Sequence, residues 1–293
     1  MASLRRRLSL ILLGLVLVPL ATGPAPSQTP ARGHGAEAHD MELVGHDDLQ
    51  GRSAYQPTIH QQRGRFVAYV GHHGGRAPNP LTGADEDNGT SIVDVTDPAR
   101  PRYLAHIPGM PGGPEQGGAQ MARVCDRRGK SYLLRTFGNS LPNSGHEVWD
   151  ATDPAKPRRV STVVSGLTST HKNWWECDTG IAYLISGDLA KADPLQLGPS
   201  GWRTGRMTKI YDLSDPAHPV FIRDFGLPGQ QPGSTMNPVP TEVHGPISIP
   251  KANRVYFGYG TGRYGVVQIV DRKKLLEGPS CWGSFLTRSP EIK

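Results

Sequence analysis

SIVDVTDPARP, Ser91 to Pro101, decides the fold because the chain repeats it. HEVWDATDPAKP (His146 to Pro157) and KIYDLSDPAHP (Lys209 to Pro219) have the same form. VQIVDRKKLLEGP, Val267 to Pro279, is a degraded fourth copy that keeps Asp271 and loses the Asp-Pro step. Aligned on the first aspartate, the copies stand at Asp94, Asp150, Asp212 and Asp271, spaced by 56, 62 and 59 residues. A unit returning at so steady a period signals a repeat architecture.

Within each copy, IVDV, VWDA and IYDL alternate apolar and polar residues, the pattern of a half-buried strand. Asp97-Pro98, Asp153-Pro154 and Asp215-Pro216 then end the strand. The carboxylate can fold back onto nearby amides, and the proline presets φ for a tight turn. A second proline (Pro101, Pro157, Pro219) opens a further run, RYLAHI, RRVSTVV or VFIRDF. Two more strand-like runs precede every copy, as YQPTIHQQ and RFVAYVG do the first. Four strands per unit predict an all-β chain, a β-propeller of four-stranded antiparallel blades with about four recognisable repeats, truncated or with an incomplete ring. The expected units span about 51–110, 111–166, 167–228 and 240–280 of a propeller domain at 41–280. Helical periodicity is confined to KKLLEG near Lys273.

The chain opens with Arg5, Arg6 and Arg7, an apolar run from Leu8 to Ala21, and then small residues and prolines. That order predicts a secretory signal peptide, with a retained anchor as the alternative. Residues 1–31 are read as the signal and the start of a linker, 32–40 as disordered linker, and 281–293 as an atypical tail. The net charge of +6 includes three signal arginines. The mature domain therefore has no cationic stripe for nucleic acid, and a membrane would be met only through an uncleaved signal. MELVGHDDL, Met41 to Leu49, resembles an outer strand and is expected to complete the fourth blade, which lacks one. Long insertions at His72 to Gly89 and Asp188 to Gly205 are expected as surface loops.

Taken with YQPTIHQ, GHHGG, NGTSIVDV, GGAQM, HKNWWECDTGIAYL, RMTKIYDLSDP and HGPIS, the repeated IVDVTDP resembles the LVIVD-repeat family of secreted β-propellers over about Met41 to Pro279. The resemblance implies a propeller outside the cytoplasm, secreted or periplasmic, and no particular activity; the Arg/Gly/Pro/Ala-rich composition suggests a bacterial source.

In a propeller the first strand of each blade lines the central channel. His60, His171 and His244 occupy similar first-strand positions, with Gln120 in the second unit. Imidazoles converging on one axis could hold a divalent transition metal, with His72, His73, Glu176 and Glu242 as further candidates. The alternative is that these polar groups satisfy one another. Asp94, Asp150, Asp212 and Asp271, with the Asp-Pro turns, read as structural, since a carboxylate in every blade is more simply a turn acceptor than a catalytic acid. Cys125 and Cys177 each close a first strand in neighbouring blades. Two buried thiols are expected there, with a bridge the alternative; Cys281 is the third cysteine. The reading that follows is an exported binding module for a small molecule or protein partner. A metal-dependent hydrolase or oxidoreductase is the second reading.

Overall fold

Each repeat builds one antiparallel sheet, and its alternation assigns the two faces. In this computed structural model, which describes residues 40–187, 200–260 and 265–278, the first unit contains β1 (Tyr55–Gln62) and β2 (Arg65–Gly71). A small hairpin follows, β3 (Arg76–Pro78) and β4 (Asp85–Asp87), and then β5 (Thr90–Asp94) and β6 (Arg102–Ile107). The second unit has β7 (Ala122–Arg127), β8 (Lys130–Phe137), β9 (Ser144–Asp150) and β10 (Arg158–Leu167). The third has β11 (Ser169–Trp175), β12 (Ile181–Gly187), β13 (Met207–Asp212) and β14 (Val220–Phe225). The fourth has β15 (Val243–Ile249), β16 (Arg254–Tyr259) and β17 (Val266–Asp271), followed by α1 (Arg272–Glu277). The sheet orders are β1-β2-β5-β6, β7-β8-β9-β10, β11-β12-β13-β14 and β15-β16-β17. Three meandering four-stranded sheets and one of three strands are the blades of a β-propeller.

The turn chemistry recurs with the sequence. Asp94, Asp150 and Asp212 each accept from the amide two residues on, at Thr96, Thr152 and Ser214. Asp97, Asp153 and Asp215 do the same for Ala99, Ala155 and Ala217. In the degraded copy, Asp271 instead caps α1 by accepting from Lys274 N at 2.9 Å. Without the Asp-Pro step the same carboxylate starts a helical turn.

Apolar faces meet between successive sheets. Tyr69 and Ile92 of the first sheet pack with Val124 and Leu133 of the second. Leu134 and Val148 turn the other way, onto Ala182 and Leu184 of the third. Tyr183 and Ile185, the alternate residues of β12, face Val255 and Phe257 of the fourth. β12 is therefore buried on both faces, which is why IAYLIS reads as a nearly continuous apolar run.

Two expectations change. Met41 to Leu49 form no strand. Asp40–Leu43 are exposed. Leu49, in a single 3-10 turn capped by Asp48, is buried against Ala68, Val70 and Val93 of the first sheet. The small residues of that face admit the leucine, and the turn prevents extended pairing elsewhere, so β17 gains no fourth partner among the described residues. Cys125 and Cys177 are bridged, with Cα atoms 5.0 Å apart. Convergence of neighbouring first strands brings them within reach of a disulfide. The signal, linker and tail expectations, Cys281 and most of the Asp188–Gly205 insertion lie outside the described residues.

Candidate functional site

Three first strands carry an irregularity at the same level. β1 shifts register between Tyr55 and Thr58. β11 shifts between Thr170 and Asn173, and β15 between Val243 and Gly245. A bulge adds a residue to one strand, bends it and re-aims a side chain. The residues inside or beside these bulges are Tyr55, His171, Lys172 and His244, and they converge.

The His171 and His244 rings lie 4.6 Å apart, edge to face. Gln120, just before β7, places its amide Nε2 2.6 Å from His171 Nδ1. With Nδ1 accepting, the neutral imidazole carries its proton on Nε2. That buried Nε2 and Gln120 Oε1 have no partner among the described residues. The Lys172 ammonium reaches across to the first sheet, donating to the Tyr55 hydroxyl and lying 4.0 Å from the centre of its ring. Gly245 makes room for this reach, since a Cβ there would stand 3.0 Å from Lys172 Cγ. Alternation alone would send His171 and Lys172 to opposite faces; the bulge lets both point inward.

The local field is positive. Burial, then Arg206, His244, Lys172 and His73, push the His171 pKa down to about 3. Burial, Lys172 and Arg206 lower that of His244. Burial and the nearby Arg123 lower Lys172 to about 8. Arg206 lies 3.6 Å from Glu242, and Arg123 sits over the Trp174 ring while donating to the Asn173 carbonyl. Among the described residues, Lys172 makes no ion pair with a carboxylate.

The remaining sequence candidates fall elsewhere. His60 bonds Asp126 at 2.9 Å. Its backbone partner is Val67, whereas Tyr55 pairs with Gly71, so His60 lies near the opposite end of β1 from the bulge. Five residues at about 3.3 Å each account for the separation. His72 is buried between the Ser53 carbonyl and Ser91 Oγ, a structural position. His73 packs edge-on to Tyr55 and lies 3.3 Å from Glu115, at the border of the cluster. Glu176 is held by Arg272, Ser248, Thr179 and Tyr183, tying the third sheet to the fourth. Among the described residues no three His, Cys, Asp or Glu side chains gather closely enough to hold a metal ion. The three-histidine metal site therefore loses its geometry, because His60 is at the wrong end. Nothing in the sequence pattern singles out Tyr55, Arg206 or Arg123 for this site.

A groove of about 340 Å³ lies on the outside of the propeller, lined by Leu104, His106, Trp149 and Pro157 of the first two units with Leu81 and Thr82 of the β3–β4 hairpin. It contains none of the converging polar groups, so the bulge cluster is the better functional candidate.

No family model and no curated protein matches this chain. Solved structures do resemble it. A hypothetical selenium-binding protein from Sulfolobus tokodaii is 15% identical with a TM-score of 0.45, over 71% of this chain and 47% of its own. The chain thus spans about half of that protein's length. A family 117 glycoside hydrolase from Zobellia galactanivorans is 15% identical with a TM-score of 0.46, over 79% and 71%. A thermostable family-43 glycoside hydrolase is 12% identical with a TM-score of 0.41, over 74% and 69%. Likeness at this level assigns no activity to the chain.

Proposed function

We propose that this chain is an exported β-propeller that binds a small hydroxylated anion, such as a hydroxy acid or sugar acid, at the first-strand bulges. One observation carries the reading. Among the described residues the Lys172 ammonium has no carboxylate of its own, and His171 Nε2–H and Gln120 Oε1, in the same cluster, have no partner. A buried polar group without a partner is costly, so a site that leaves several together is built for something that completes them. The ammonium and the imidazole N–H suit a carboxylate, and Gln120 Oε1 suits a hydroxyl. An incoming anion would compete with the Tyr55 hydroxyl for Lys172. Export is supported by the charged-then-apolar opening of the chain and by the Cys125–Cys177 bridge, which is at home in an oxidising compartment. The repeated IVDVTDP supports placing the chain beside the LVIVD-repeat propellers.

A second reading, that the site is catalytic, is favoured by the contact of Lys172 with Tyr55. A lysine lowered to about 8, beside a phenol whose pKa burial and Glu115 raise, can serve as a base once pH passes about 8. A thermal-shift and calorimetric panel of hydroxy acids, sugar acids, sulfate and phosphate tests the proposal. Hydroxy or sugar acids are expected to stabilise the protein, with the effect lost in Lys172→Met. Stabilisation by none of them, or an unchanged response in Lys172→Met, would refute it. Turnover of a bound acid that Tyr55→Phe abolishes without loss of binding would select the catalytic reading.

A further inference from the structure

Arg123 is a second cation of the bulge cluster that meets no carboxylate among the described residues. Its guanidinium leaves β7 of the second sheet and lies over the Trp174 ring of β11, 4.9 Å from the ring centre. Nε donates to the Asn173 carbonyl at 3.5 Å, and the two terminal nitrogens have no acceptor among the described residues. A guanidinium is shaped to grip a carboxylate with two parallel hydrogen bonds. Lys172 crosses from the third sheet to Tyr55 of the first, and Arg123 from the second to the third, so both cations lie among the first strands. They feel one another. After burial, Arg123 is the charge that lowers Lys172, and burial is what lowers Arg123. Two like charges held close in a half-buried site repel and lose hydration. The carboxylates at the border of the cluster face other partners, Glu242 with Arg206 at 3.6 Å and Glu115 with His73 at 3.3 Å. Asn173 and Trp174, which anchor Arg123, stand one and two residues beyond Lys172 on β11, a step of roughly 3 to 7 Å along the strand.

We infer that the ligand carries two acid groups, the first held by Lys172 and His171 and the second by Arg123, so that the site selects short hydroxylated dicarboxylates over the matching mono-acids. This rests on the anion-binding reading above and adds Arg123 as its specificity-determining residue. A single carboxylate answers one cation and leaves the other with its neighbour's repulsion. A diacid answers both. Trp174 already holds the guanidinium plane, so little freedom is lost when the second carboxylate arrives.

Calorimetry on the full chain at about pH 7, where Lys172 is charged, tests this with malate against 2-hydroxybutyrate and glucarate against gluconate. Each pair shares a carbon chain and differs in one terminal carboxylate. Each diacid is expected to bind at least about tenfold tighter than its mono-acid, the scale of one charge-assisted hydrogen bond. In Arg123→Gln that ratio should fall to about one, and Arg123→Lys, which keeps the charge without the fork, should give a value between. Equal affinities within each pair in the unaltered protein would overturn the inference and leave the single-carboxylate reading standing. That comparison needs no variant, so it decides even if Arg123→Gln does not fold. A ratio that survives Arg123→Gln would overturn the inference too, as would phosphate binding more tightly than either diacid, since both charges would then sit on one centre. Binding of none of these acids would overturn both readings.

Discussion

Individual side chains in this protein are tuned mainly by burial. His146 is fully buried, donates from Nε2 to the Ile185 carbonyl with the Ser186 hydroxyl beside it, and has its pKa pushed down to about 4. His72 is lowered to about 4 and His171 to about 3, burial being the largest cause for both. Each stays neutral in the fold while an unfolded histidine takes a proton near pH 6.5. Below about 6.5 the unfolded chain therefore binds more protons, and stability falls as pH drops toward 4. The unfolding free energy from urea titration is expected to fall between pH 7 and pH 5, by about 1 kcal/mol per pH unit for each buried histidine, and His146→Asn should flatten that dependence. Lys172 acts at the alkaline end of the range. Its folded pKa of about 8 lies below the ordinary lysine value, so the ammonium is present below about 8 and lost above it. Anion affinity measured by calorimetry should be level up to about pH 8 and then fall roughly tenfold per unit. The imidazole pair His171–His244 was legible as two polar residues on first strands. His60 was not separable from them, because a period-2 pattern fixes faces but cannot count bulges or say at which end of a strand a residue lies.

Strands and turns were the most legible layer. The Asp-Pro step predicted its own hydrogen bonds, since an aspartate ahead of a proline has few other ways to turn a strand. Pro154→Gly loosens the unfolded chain and should cost on the order of 1 kcal/mol, read as a lower melting temperature. Cys125–Cys177 closes a loop of 52 residues between neighbouring first strands. In the chain-entropy view such a loop stabilises by about 4 kcal/mol, so a reductant should lower the urea midpoint markedly, and Cys125→Ala should reproduce the loss. Equivalence of the two cysteines was visible in the sequence, but the distance between converging strands was not. Bulges were equally hidden. Thr-His-Lys-Asn and Val-His-Gly give no sign that an extra residue is inserted, because the inserted residue is decided by what the neighbouring strand can pair with.

At the scale of the molecule, repetition carried the fold. A period near 60 residues, four strands to a period and a glycine after the second strand leave few arrangements other than blades around an axis, and far-ultraviolet circular dichroism should show a β spectrum with little helix. What repetition could not convey is where the repeats stop being equivalent. The fourth unit lost its Asp-Pro step and ended in α1, and the segment around Leu49 closed on the first sheet. The centre is also asymmetric, since Lys172 of the third unit reaches Tyr55 of the first. The most direct measurement is a crystal structure of the protein with the tightest anion from the binding panel. Its carboxylate is predicted against Lys172 Nζ and His171 Nε2, with a hydroxyl toward Gln120 Oε1 and the Lys172–Tyr55 contact broken. An anion held instead in the outer groove by Trp149, with Lys172 still on Tyr55, would contradict it.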